Sequence, residues 1–176
     1  MMLPRIIPCL LLKDKYLYKT IQFKKPVYIG DPINAIKILN EKQVDELIFL
    51  DINASSQNKA PNFEMIENIA SECFMPVCYG GGIKSIADIK KILSLGVEKV
   101  LISSFAVENP TFIKEASCIF GSQSIVVCID VKKIFFGKYE VMIHNAKKKT
   151  GLDPLGFALK AQEMGAGELI INSIDR

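Results

Sequence analysis

Six apolar runs of strand length alternate with helix-length segments from one end of this sequence to the other. That alternation limits the chain to a parallel sheet with helices packed outside it. The runs cover residues 6–12, 46–51, 76–79, 98–102, 124–130 and 167–172. The fifth, Ser124-Ile125-Val126-Val127-Cys128-Ile129-Asp130, is apolar at nearly every position, as a strand covered on both faces must be, and it ends in a carboxylate. Between the runs, Asp31-Pro32 opens a helix reaching about Lys42, Pro61 leads into one ending near Cys73, and Ser85 caps one over 86–94. Asn109-Pro110 starts a helix to about Phe120, and another covers 153–164. Two alternating stretches, at 16–23 and near 134–144, read as exposed hairpins.

The runs also repeat. Ile6-Ile7-Pro8-Cys9-Leu10-Leu11 overlays 126–130 with Cys9 on Cys128, which puts Leu11 where Asp130 stands. Glu46-Leu47-Ile48-Phe49-Leu50-Asp51 overlays Glu168-Leu169-Ile170-Ile171-Asn172-Ser173 in the same order along the chain. Self-similarity of this kind means two like halves. It favours a closed (βα)8 barrel over its rival, the doubly wound open sheet. A barrel of eight units usually takes about 250 residues. The 176 residues here therefore read as a single incomplete barrel domain, truncated after the sixth strand, with two sheet edges open.

Position along the strands nominates the chemistry. In a parallel sheet, ligands bind beyond the carboxyl ends of the strands, so Asp130 is the first candidate; the plain alternative is that it caps the next segment or pairs with Lys132 or Lys133. Gly80-Gly81-Gly82 between strand and helix suits an anion held by free amides, against the alternative of a simple tight turn. Ser103 and Ser104 end the fourth strand and could contact the same anion; Ser173 ends the sixth.

Composition removes other classes. A net charge of +3 gives no field that would draw nucleic acid, and Lys147-Lys148-Lys149 beside the lone His144 reads as a solvated loop. Five scattered cysteines without CxxC spacing read as buried thiols of a reducing cytoplasm, and no metal or cofactor is expected. The amino-terminal apolar run is broken by Pro8 and is too short to span a membrane.

Arg5-Ile6-Ile7-Pro8-Cys9, Gly30-Asp31-Pro32, Asp45 to Ile52, Gly80 to Ser85, Gly121-Ser122-Gln123, Thr150 to Asp153 and Gly165 to Glu168 together resemble the cyclase subunit of imidazole glycerol phosphate synthase over the whole chain. The resemblance implies a barrel that receives ammonia from a glutaminase partner docked at its amino-terminal face. It places the family's acid/base pair on positions 11 and 130, so Asp130 is kept and Leu11 is not an acid. It places the charged ring at the ammonia entrance on Arg5, Glu46, Lys99 and Glu168. It places a substrate contact on Lys19 and the phosphate loop on Gly82, with Ser103 where the family usually has Asn; Asp51, Gly81, Ser104 and Ser173 join them as candidate substrate- or phosphate-binding residues. The segments 9–13, 19–20 and 28–35 look more like a paralogue branch tied to surface polysaccharides. There a glutaminase and a third, amidating protein help turn an acetamido group of a nucleotide-activated sugar into an acetamidino group. The other expectations are a working histidine-pathway cyclase and a scaffold without chemistry.

Overall fold

The computed structural model describes residues 4–54, 57 and 59–175. In chain order its elements are β1 (Cys9–Lys13), β2 (Tyr16–Ile21), β3 (Lys24–Gly30), α1 (Pro32–Lys42), β4 (Leu47–Asp51), α2 (Phe63–Glu72), β5 (Val77–Gly80) and α3 (Ile86–Ser94). There follow β6 (Lys99–Ile102), α4 (Ser104–Glu108), α5 (Thr111–Phe120), β7 (Ile125–Lys133), β8 (Tyr139–Ile143), β9 (Lys148–Lys149), α6 (Pro154–Glu163) and β10 (Glu168–Ser173).

Six of the strands run parallel and lie side by side in chain order, β1-β4-β5-β6-β7-β10. The two hairpins are antiparallel additions, β2-β3 on β1 and β8-β9 on β7. The internal repeat is visible in the register. Cys9 pairs with Ile48 as Cys128 pairs with Ile170, and Leu11 pairs with Leu50 as Asp130 pairs with Asn172.

The helices begin where capping chemistry puts them. Asp31 accepts from the amides of Ile33 and Asn34 ahead of α1, Ser85 and Asp88 form a reciprocal capping box on α3, and Asp153 accepts from Gly156 on α6. Three boundaries differ from the sequence expectation. Residues Ser104–Glu108 form α4, a single helical turn without a side-chain cap, between the fourth strand and the helix expected from Asn109-Pro110. The second hairpin does not begin at Ile134: β7 runs on through Lys133, so its own end is the first arm, and Phe135–Gly137 make the turn. Lys148 and Lys149, expected in a loop, are exposed but pair with Ile143 and Met142.

Side chains alternate across the sheet with period two. Leu47, Phe49, Val77, Val100, Ile102, Val127 and Ile129 point outward into one buried layer with Ile36, Ile66, Ile89, Ile92 and Ile113 of the helices. Each such side chain contributes about 1.5–3 kcal/mol when fully buried, so this layer is the main source of stability. Ile48, Cys78, Leu101, Val126 and Cys128 point inward as a second apolar cluster, flanked by Ile7, Leu50 and Ile170.

Only part of the cysteine expectation holds. Cys78 and Cys128 are buried, but Cys73 is half-buried, Cys118 is exposed on α5 and Cys9 is exposed on β1. An apolar neighbourhood in sequence did not distinguish the solvent face of a helix from its core face. Among the described residues no helix is long and apolar enough to cross a membrane.

Candidate functional site

The inward positions form layers along the six parallel strands. At the amino-terminal end, Arg5 Nη1 lies 3.3 Å from Glu46 Oε2 and Arg5 Nη2 lies 3.0 Å from Glu168 Oε1. Lys99 Nζ lies 2.7 Å from the same Glu46 oxygen and 2.9 Å from the same Glu168 oxygen. The four charges thus close a ring of alternating sign. The Glu46 side chain is 4% exposed and that of Arg5 51%, so the ring has a buried side and a wet side. Burial pushes the Glu168 carboxyl up, but hydrogen bonds from Lys99 and Arg5 and their charges outweigh it and hold the group below the usual carboxylate range. Burial likewise opposes the Lys99 ammonium, and its bonds to Glu46 and Glu168 more than offset that.

Beyond the apolar middle layer the strands end in a cavity of about 590 Å³, a size suited to a small molecule. Leu11, Asp51, Gly81, Gly82, Ser103, Ser104, Asp130 and Ser173 all line it. Asp130 Oδ1 accepts from Asn172 Nδ2 at 2.8 Å, and Oδ2 accepts from Ser103 Oγ at 3.3 Å. Burial dominates its acidity and raises its pKa, opposed in part by those two hydrogen bonds. Asp130 is therefore neither a helix cap nor a partner of Lys132 or Lys133; it is an inward carboxylate held by neutral donors. Leu11 faces the same cavity from β1 and can hold no proton.

Asp51 Oδ1 accepts from the amides of Asn53 and Ala54 at 2.9 and 3.0 Å, so it shapes its own loop as well as lining the cavity. The two glycines at the mouth are sterically required. A Cβ on Gly81 would lie 2.7 Å from the Asp51 carbonyl oxygen, and one on Gly82 would lie 2.5 Å from that of Lys59. Both also have positive φ, 128° and 73°. The tight-turn reading of this stretch therefore holds by itself, and it leaves the anion reading open.

Lys19 is not brought to the cavity. It is exposed on β2, while Thr20, Gln22 and Phe23 from the same hairpin do line the cavity. Pairing of β2 with β3 shifts register on each side of it, between Leu17 and Tyr18 and between Lys19 and Ile21, and such irregularities re-aim side chains.

A family described as histidine biosynthesis protein matches residues 5–176. The chain belongs to the histidine biosynthesis protein family. It is 55% identical over 177 residues to a Leptospira borgpetersenii protein provisionally named imidazole glycerol phosphate synthase subunit HisF, covering 100% of this chain and 70% of that protein. It is 54% identical over 172 residues to a Pseudomonas aeruginosa protein provisionally named imidazole glycerol phosphate synthase subunit hisF2, covering 98% of this chain and 68% of the relative. A Vibrio vulnificus protein provisionally named subunit hisF3 is 50% identical over 176 residues, with 99% and 68% covered.

For this member of the histidine biosynthesis protein family, the barrel-type fold also follows from the ring. Six strands at a spacing of about 4.8 Å would hold β1 and β10 roughly 24 Å apart in an open sheet, beyond the reach of two side chains. The 3.0 Å bond between Arg5 and Glu168 requires the sheet to curl upon itself.

Sequence reasoning missed several cavity residues of this family member. Asn172 was inside a recognised repeat, and the overlay that set Leu11 on Asp130 could have placed it beside Asp130. Lys84, Glu108, His144 and Asn145 also line the cavity. Among the described residues, no cluster of three or more histidine, cysteine or acidic side chains is arranged to hold a metal.

Proposed function

We propose that this chain is the ammonia-accepting, cyclase-like synthase subunit of a glutamine amidotransferase complex acting on a nucleotide-activated sugar of a surface-polysaccharide pathway. A glutaminase docks against the amino-terminal face, ammonia enters past Arg5, Glu46, Lys99 and Glu168, and the apolar interior delivers it unprotonated to the mouth. There Asp130, with Ser103 and Asn172 on its oxygens, meets a phosphorylated ligand bound near Gly82 and Ser104. A third, amidating protein completes the conversion of acetamido to acetamidino.

The single observation that carries the reading is a complete charged ring below a mouth in which Leu11 faces the cavity opposite a retained Asp130. A positioned acid or base typically contributes about 10²–10⁴-fold, so the loss of one argues for altered chemistry above an unaltered entrance. The names of the relatives favour the second reading, a histidine-pathway cyclase in which Asp51 or another carboxylate covers for Leu11.

The test is isotopic. Glutamine labelled with ¹⁵N in its amide is supplied to the chain with its glutaminase, the third protein and an acetamido nucleotide sugar. Label in an acetamidino product is the expected result. Unlabelled sugar together with efficient cyclisation of the histidine-pathway nucleotide rejects the proposal in favour of the second reading.

A further inference from the structure

The mouth contains a second titratable assembly that the resemblance does not assign. Glu108 Oε1, at the end of α4, lies 2.9 Å from His144 Nε2, and Lys148 Nζ lies 3.6 Å from the same oxygen. Burial pushes the Glu108 carboxyl up, but the hydrogen bond and charge of His144, helped by Lys148, hold it below the usual range. An ionised carboxylate only accepts hydrogen bonds, so Nε2 carries the proton of the pair. Nδ1 has no hydrogen-bond partner among the described residues. His144 is the only histidine in the sequence.

The backbone around it is unusual. His144, Asn145 and Ala146 have φ of 55°, 56° and 60°, three successive non-glycine residues in the left-handed region. The His144 amide donates to Ser104 Oγ at 2.9 Å, Asn145 Nδ2 donates to the Ile52 carbonyl at 2.9 Å, and the Lys147 amide donates to the His144 carbonyl at 3.2 Å. The turn therefore crosses the mouth from β8 to the end of β4. Sparsely populated backbone conformations persist only where surrounding contacts fix them, and they collect at functional sites. Glu108 and His144 line the same cavity as Leu11 and Asp130, whose other charged lining groups are Asp51 and Lys84.

We propose that His144, positioned by Glu108, is a second proton-handling group of this mouth beside Asp130, acting at Nδ1 on the ammonia acceptor of the proposed function and not in place of the cyclase acid/base at position 11. This rests on the reading that ammonia meets an electrophilic carbon here. Ammonia adding to a carbon–oxygen double bond gives up two protons as the carbon–nitrogen double bond forms, and the oxygen takes two as it leaves as water. Each proton accepted at Nδ1 is handed to the oxygen, so His144 ends as it began, while Nε2–H stays on Glu108.

With one imidazole in the chain, its ¹⁵N resonances need no assignment. The neutral ring should show the Nε2–H tautomer, E108Q should lose that preference, and inorganic phosphate, used as a probe of the cavity, should perturb the Nδ1 resonance. On the nucleotide that accepts label in the isotopic test, H144Q should lower kcat roughly 10²-fold with KM little changed. E108Q should displace the pH–rate profile, and both variants should bind glutaminase normally. If H144Q transfers label at the wild-type rate with an unchanged pH profile, the dyad is wrong and the proposed function stands. If wild type transfers no label, the proposed function fails, and the spectra decide the dyad separately: a tautomer unaffected by E108Q and a ring blind to phosphate overturn it.

Discussion

Arg5 and Glu168 stand 163 positions apart in the sequence and bond at 3.0 Å. Between them lie Glu46 and Lys99, each contacting both oppositely charged neighbours, so removing one member leaves two others short of a partner. Breaking a buried ion pair from one side typically costs about 3–5 kcal/mol. Glu46→Ala, which strips the most buried member, should lower the unfolding free energy from urea titration by an amount in that range. Arg5→Ala, at the exposed end, should lower it much less. Equal shifts for the two variants would mean that burial does not set the energetics of the ring.

The ring also predicts a pH dependence. The folded-state pKa of Glu168 is depressed, so its contribution to stability is present above the ordinary carboxylate pKa and is lost as pH falls through the folded value. Thermal melts from pH 6 to pH 3 should show a fall that is reduced in Glu168→Gln.

Asp130 behaves in the opposite sense. Its folded-state pKa is raised, chiefly by burial, so its contribution is fully present below the unfolded pKa and is lost as pH rises through the folded one. At neutral pH the ionised group costs stability. Asp130→Asn keeps the shape and can still meet Asn172 and Ser103, so it should melt higher than wild type at pH 7. The difference should disappear near pH 3. A variant less stable than wild type at pH 7 would show that the two hydrogen bonds outweigh the burial.

Gly82 tests the mouth by sterics. With φ of 73° and a would-be Cβ 2.5 Å from the Lys59 carbonyl oxygen, Gly82→Ala combines backbone strain with a clash. Each non-glycine residue in the left-handed region costs about 1–2 kcal/mol before the clash is added. A loss of at least that size in denaturant unfolding is expected; an unchanged midpoint would mean that Lys59 moves aside freely.

Much of this arrangement was legible in the sequence because its causes are local. Caps such as Asp31 and Ser85 fixed helix starts, and apolar runs covered on both faces fixed the strands. The repeat set the register in advance, since Cys9 and Cys128 occupy equivalent rungs. What escaped depends on contacts between segments. The turn of α4 has no cap to announce it, and the pairing of Glu108 with His144, 36 positions later, has no local sign. Lys19 was assigned to the site by resemblance, whereas the register shifts of β2 against β3 keep it on the exposed surface.

The proposed function requires an intact ammonia entrance and changed chemistry at position 11. The most direct measurement is glutamine-dependent cyclisation of the histidine-pathway nucleotide by the glutaminase complex, for wild type and Leu11→Asp side by side. Very low turnover is expected for wild type and a gain of about 10²–10⁴-fold for the variant. Near-normal turnover by wild type, with no gain from the added carboxylate, would contradict the proposed function.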